Sequence, residues 1–347
     1  MKNKVCRLIV GILMWNLLLS STYAQDYQKL AQTGFQFLSV VSDARSAAMA
    51  EATTSLQTSS GALFSNPAGM AGMEKFFDIT ASVNQWIADI KHYTFGMALC
   101  PAKGDYGVIG FSIQSVDYGD FYGTRVNTAV PLGYDDTGIF KLNALALGVG
   151  YAKQLTDRFC VGAHVRWVKQ DLGTSVIAVN IRPDTTDPAG LRRIADTSIV
   201  TTKTTPLVFD FGTQFKTGYK SLVFGMSVRN FSKEVKYAAE GFQAPLVFTL
   251  GISMNIVDLI DENSLNHALN ISLDASHYID HPEQIKVGLE YRFMNTLSLR
   301  GGYANDNGGN GLSFGLGVSQ FGFSFDYAYT PFGVFDKVQR MTTRFTF

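Results

Sequence analysis

The sequence predicts an all-β chain: a transmembrane antiparallel β-barrel of about fourteen strands with an N-terminal segment plugging its lumen. Three observations carry this. Apolar and small or polar residues alternate along most of the chain, as in Leu312, Phe314, Leu316 and Val318 against Ser313, Gly315, Gly317 and Ser319. Charges occupy the face opposite the oily one: Ile285, Val287, Leu289, Tyr291 and Phe293 alternate with Lys286, Gly288, Glu290 and Arg292. Third, the stretch Asp43 to Gly72 is Ala/Ser/Gly-rich, nearly uncharged and lacks this alternation, so it cannot bury enough apolar surface to fold alone.

The first residues read as a secretory signal peptide. Lys2, Lys4 and Arg7 precede an apolar run from Leu8 to Leu19, and small residues lead to a cleavage site after about Ala24. The run is too short to span a membrane as a helix, and Cys6 lies before it, unlike a lipoprotein cysteine. Segments 1–24, 25–74 and 75–347 are therefore expected to be leader, plug and barrel. The chain has 29 basic and 29 acidic residues, and loss of the three leader cations leaves about −3, no footprint for nucleic acid. Cys100 and Cys160 remain, enough for one disulfide and too few for a disulfide framework.

A soluble sandwich also alternates, with its apolar face toward the core. Here every strand has an apolar face, aromatics at its ends and charges on the other face, which suits lipid outside and a polar lumen. A lipocalin-like barrel would invert that pattern. Strand centres fall near Ile79, Phe95, Ile109, Leu147, Val161, Phe209, Phe224, Leu250, Ile271, Leu289, Leu299, Phe314, Phe325 and Phe345. Tight connections (Pro101 to Asp105, Leu155 to Arg158, Thr217 to Lys220, Met294 to Thr296, Gln320 to Gly322) all follow even strands, and the long ones, Tyr118 to Gly138 and Asp171 to Thr205, follow odd strands. Short periplasmic turns and long outer loops then put both termini in the periplasm. Val257 to His267 is the exception, a longer connection on the short side. Phe345 and Phe347 end the last strand, which must pair with the first because lipid satisfies no open edge; a terminal aromatic also resembles the assembly signal of such barrels.

No phosphate-cradling glycine loop, CxxC pair or HExxH zinc motif is present. His277, Asp280 and His281 could hold a metal, but a site needs three or four convergent ligands and Pro282 marks a solvated turn; no metal or cofactor is expected. His164 is expected to point inward beside Arg166 as polar lining, so no catalytic residue and no enzymatic activity are expected. Ten charges are expected in the lumen: Asp210, Arg229, Asp274, Lys286, Glu290, Arg292, Arg300, Asp326, Arg340 and Arg344. Either they line a solute path or they pair with one another and with plug carbonyls, since charge away from water needs a partner. The long loops are either solvated extensions or partner-binding arms, for which Tyr118, Phe121, Tyr122, Arg192 and Arg193 are candidates.

Asp43-Ala44-Arg45 with Met49 following, then the turn Asn66-Pro67-Ala68 before a barrel, resembles the PorV/PorQ family of outer-membrane proteins within the wider FadL-like group. Shuttle-type members would carry an aromatic residue just before the Asn-Pro-Ala turn; here Ser65 stands there, with Phe64 one place earlier. The resemblance implies a plugged fourteen-strand barrel in the outer membrane of a Gram-negative bacterium such as one of the Bacteroidetes, in contact with membrane lipid. It also implies an accessory role in type IX secretion, with the translocon, a sortase-like peptidase or exported cargo as partners. FadL-like relatives imply instead a channel for lipid or other hydrophobic ligands with a lateral opening in the wall. Inward positions that are mostly Gly, Ser and charged weigh against that alternative.

Overall fold

The computed structural model describes residues 33–126, 132–183, 193–236, 241–260, 266–305, 311–333 and 337–347. The leader, residues 25–32 and Arg192 lie outside the described residues. The wall opens with β1 (Phe77–Gln85), β2 (Lys91–Leu99), β3 (Val108–Val126), β4 (Tyr134–Thr156) and β5 (Phe159–Pro183). The strand β6 (Arg193–Thr204) pairs only with the far half of β5, and β7 (Leu207–Lys216) and β8 (Val223–Ser232) continue the wall. A small ribbon, β9 (Val235–Lys236) with β10 (Gly241–Phe242), stands apart. The wall resumes with β11 (Val247–Asn255), β12 (His267–Tyr278), β13 (Gln284–Phe293) and β14 (Leu297–Ala304). It ends with β15 (Leu312–Gln320), β16 (Phe323–Thr330) and β17 (Val338–Thr346).

All neighbours in the ring are antiparallel, and β1 pairs with β17 from Asp78↔Thr346 to Gln85↔Gln339. Leaving out β6, the fifteen-strand sheet is a closed ring of fourteen. Each of the fourteen expected strand centres falls in a different ring strand. Strict alternation persists: β15 reads exposed, buried, exposed along its length, with Phe314, Leu316 and Val318 outward. Leu250, Leu289 and Phe325 are outward on their strands as well, so the wall presents an apolar exterior suited to lipid. The Phe321–Gly322 turn has positive φ at both residues (53° and 80°), the two-residue hairpin geometry whose twist matches the flanking strands.

One expectation changes. Within the stretch Tyr118 to Gly138, residues 118–126 and 134–138 are not loop but the continuation of β3 and β4, paired as far as Val126↔Tyr134. Inter-strand pairing satisfies this backbone more fully than an open loop would. The described residues begin at Thr33 and do not reach the N-terminus, so they do not bear on the expectation that both termini lie in the periplasm. Thr33 bridges to Gln243 at the long-connection mouth, whereas Phe347 exchanges backbone hydrogen bonds with Phe77 at the short-turn mouth. From Thr33 the segment runs down the lumen before feeding into β1, whose first residue lies at the short-turn end.

No helix among the described residues is long and apolar enough to cross a membrane. Among its described residues the connection after β11 holds a 3-10 turn, Ile256–Leu259, and β11 pairs directly with β12.

Candidate functional site

Charge, small residues and cavities converge in the lumen, and its occupant is the N-terminal segment. A short helix α1 (Ala44–Ala48) begins at Asp43, whose Oδ2 accepts from the Ser46 backbone N–H at 2.8 Å and from Ser46 Oγ at 2.7 Å. Five residues cannot hold a helix alone, so the cap and the wall fix it. Asn66 caps the next 3-10 turn, Pro67–Met70: its Oδ1 accepts from Ala68 N at 3.1 Å and its Nδ2 donates to Thr54 O at 2.7 Å. Met49, Pro67 and Ala68 are buried.

The wall makes room with glycine. A Cβ on Gly162 would lie 2.4 Å from Ala68 N, and one on Gly302 would lie 2.4 Å from Ala50 N. Inward glycines are thus seats for backbone.

Toward the short-turn mouth the segment packs as an apolar core. Ala62, Leu63, Ala68, Met70 and Met73 bury against Ala98, Cys100, Val108, Ala152 and Cys160. Both cysteines are free and buried. At the other end Phe35, Phe37 and Leu38 sit on Val116, Ala144, Ala146, Val168 and Val208, inward positions of β3, β4, β5 and β7.

All ten charges of the lumen set lie on the inner side of the wall, and most are partnered. Arg45 grips Glu290 with two hydrogen bonds of 2.9 and 2.8 Å; Arg300 bonds the same carboxylate at 2.8 Å and Asp326 at 2.6 Å. Lys286 Nζ meets Glu51 Oε2 at 2.6 Å. Arg229 donates to Phe64 O at 2.8 Å, and Arg344 to Thr80 Oγ1 at 3.2 Å with Asp78 4.0 Å away. Asp274 accepts from Thr54 N at 3.0 Å. Arg292 is half-buried, with its Nε unpaired among the described residues. The carboxylate chain from Arg45 to Asp326 ties the segment to β13, β14 and β16, because a buried charge is tolerable only with such partners.

His164 has company that its sequence position hid. Ser112 Oγ lies 2.8 Å from His164 Nε2, and His164 Nδ1 lies 3.1 Å from Asp210 Oδ2, the bonding order of a serine-hydrolase triad. Arg166 Nη2 also donates to Asp210 at 2.6 Å and to Asn230 Oδ1 at 2.6 Å. Ser112 and His164 are buried and line none of the three lumen cavities, so the site ≈3 Å from a nucleophile that an acyl group needs is absent there. The network fills the bulge where β7 and β8 shift register between Phe209 and Phe211, with Asn230 at φ 61°. It is wall structure, with the ladder of β8 to β11 ending at Arg229↔Val247.

The largest lumen cavity, about 370 Å³, opens at the long-connection mouth between the N-terminal segment and the wall. Val40, Val41, Ala47, Trp86 and Phe332 give it an apolar side; Arg340, Lys286 and Glu51 give it charge. Trp86 and Phe332 meet edge to face with centroids 5.2 Å apart. Arg340 donates to Val41 O at 2.8 Å and Thr330 Oγ1 at 2.9 Å, 5.5 Å from the Trp86 ring, and Asn84 Nδ2 also reaches Val41 O at 3.2 Å. Below it lie two cavities of about 20 Å³ each, room for roughly one water apiece, and Val41 borders all three.

At the rim, Asp280 accepts from Thr33 Oγ1 and, at 2.8 Å, from Gln36 Nε2. Partial burial works against this carboxylate's charge, but the bonds from Thr33, Gln36 and His281 outweigh it and hold Asp280 below the usual range. His277 turns to Glu283 at 3.2 Å instead of joining His281, and no metal-ligating cluster occurs among the described residues. Of the loop candidates, Tyr118 packs inward on the Phe35 cluster, Phe121 stacks on Phe140 at 5.6 Å, and Tyr122 is exposed. Arg193 pairs through its backbone with Pro183 at the tip of the β5–β6 hairpin. Sequence reasoning missed Glu51, Asn84, Trp86, Ser112 and Phe332. Trp86 alone gave a signal, a large aromatic directly after the alternation of β1 ends.

No protein-family model matches the chain, and no curated protein matches it in sequence. Solved structures do resemble it. The Ralstonia pickettii toluene transporter TbuX is 12% identical with a TM-score of 0.58, covering 88% of this chain and 98% of its own. The Pseudomonas putida toluene transporter TodX is 14% identical with a TM-score of 0.56, covering 88% and 96%. A Pseudomonas aeruginosa FadL homologue is 12% identical with a TM-score of 0.55, covering 88% and 98%. At such identities the likeness concerns the fold alone: the chain shares the barrel architecture of these structures.

Proposed function

We propose that this protein is a non-enzymatic outer-membrane barrel that admits hydrophobic small molecules from the long-loop side, with residues 33–73 as its plug. The observation that carries the reading is the mouth cavity, walled on one side by Val40, Val41, Ala47, Trp86 and Phe332 and sized for a small ligand. A cavity with apolar side chains beside Ala44 to Met49 is what the channel reading requires. Inward glycines, which argued for a featureless polar lumen, serve as seats for the plug. Toluene transporters are among the solved structures of the same fold, which supports the direction of the proposal. The secretion-accessory reading gains no such support, and the β3–β4 and β5–β6 hairpins name no partner.

The test is uptake of a fluorescent hydrophobic amine, N-phenyl-1-naphthylamine, by intact Gram-negative cells that express the protein. Expression should raise the uptake rate severalfold, and Val40→Trp, which fills the cavity, should return it to background. Equal uptake with and without the protein would sink the channel reading.

A further inference from the structure

The mouth cavity holds a cation without a carboxylate. Arg45, Arg166, Lys286 and Arg300 each contact a carboxylate, but among the described residues none lies within 4.0 Å of Arg340, which is itself buried. Two of its five N–H donors go to Val41 O and Thr330 Oγ1. A guanidinium kept from water in this way is poised for an anion, and its planar fork suits a carboxylate.

Aromatic rings surround the same space. Trp86 lies over Arg340 and edge-on to Phe332; across the cavity Tyr278 and His281 form a second edge-to-face pair at 5.8 Å. Such walls select a ring by stacking and edge contacts beyond mere burial.

Resting on the uptake reading, we propose that this cavity binds a small aromatic molecule bearing one anionic group. The anion sits on Arg340 and the ring between Trp86 and Phe332, and binding unlatches the plug at Val41. A carboxylate is a stronger acceptor than the Val41 carbonyl, so it draws Arg340 away and leaves Val41 only the 3.2 Å bond from Asn84. Val41 borders the mouth cavity and both water-sized ones, so its release joins them into one path toward the middle of the barrel.

The full-length protein in detergent is titrated calorimetrically with benzoate, with toluene and octanoate as comparisons. Benzoate should bind saturably and more tightly than octanoate. Arg340→Gln should weaken benzoate at least about tenfold and toluene by a much smaller factor, and Arg340→Lys should restore part of the loss for benzoate. In a Val41→Cys variant, maleimide labelling should accelerate severalfold at saturating benzoate, and not when Arg340→Gln is added. Octanoate binding as tightly as benzoate, an Arg340→Gln protein with unchanged benzoate affinity, or a labelling rate indifferent to benzoate would each overturn the inference. Toluene binding without benzoate binding overturns it while the uptake reading stands; if neither binds, both fall.

Discussion

The two ends of the lumen hold the same N-terminal segment by different physics. At the short-turn end Leu63, Met70 and Met73 are buried in a continuous apolar core with Cys100, Val108 and Cys160. At the long-loop mouth Phe35, Phe37 and Leu38 still pack on the wall, but Val41, Glu51 and the rim residues Thr33 and Gln36 are held by separate polar contacts: Arg340 and Asn84 on Val41 O, Lys286 on Glu51, Asp280 on Thr33 and Gln36. A packed core yields only as a unit, because every neighbour loses contacts together. Isolated hydrogen bonds, each worth about 1 kcal/mol net, break one at a time. The stretch 60–73 is thus an anchor and the stretch around Val41 a latch.

Substitutions sharpen this contrast. The largest effect is expected at Glu290, which serves both Arg45 and Arg300. Glu290→Ala leaves Arg45 without its carboxylate and Arg300 with Asp326 alone, and should lower stability by about 3 kcal/mol, read as the urea midpoint of the folded barrel. Gly162→Val follows. Its side chain would enter the space of Pro67 and Ala68 backbone, which has no flexible end to yield, and about 3 kcal/mol of overpacking is expected together with protease sensitivity near Asn66. Asn66→Ala leaves the Thr54 carbonyl only the 3.2 Å bond from Gln214 Nε2 and removes a cap, about 2 kcal/mol by the same measurement. Should Arg340→Gln match these losses, the mouth would be as much an anchor as the core, and the contrast would fail.

The smallest effect is at the rim. Asp280→Asn should cost about 1 kcal/mol and loosen only the first residues of the segment. The native carboxyl titrates below its unfolded counterpart. Its contribution is therefore complete above the unfolded value of about 3.9 and fades as pH falls through the lower folded value. A pH titration of limited proteolysis at residues 33–38 should show cleavage rising only below about pH 4 in the wild type, and no such step in Asp280→Asn.

The strands were legible because period-two alternation is local: Ile285 to Phe293 announces its two faces without any knowledge of its neighbours. Closure was legible from the need to satisfy a terminal edge, and β1 does pair with β17. The inward set of charges followed from the same alternation, but their partners did not. Arg45 and Glu290 are 245 positions apart, and nothing between them encodes the pairing. The mouth cavity was invisible for the same reason, since Val41, Trp86, Phe332 and Arg340 meet only once the ring has closed. Direction along the lumen was not legible, because a segment without periodicity carries no sign of which mouth it enters.

Hydrogen exchange along residues 36–73, in the detergent-solubilised protein with and without benzoate, tests the anchor and latch most directly. The expected result is slow exchange at 60–73 under both conditions and faster exchange at 39–43 that accelerates when benzoate is added. Uniform exchange along the whole segment, unmoved by benzoate, would contradict the account.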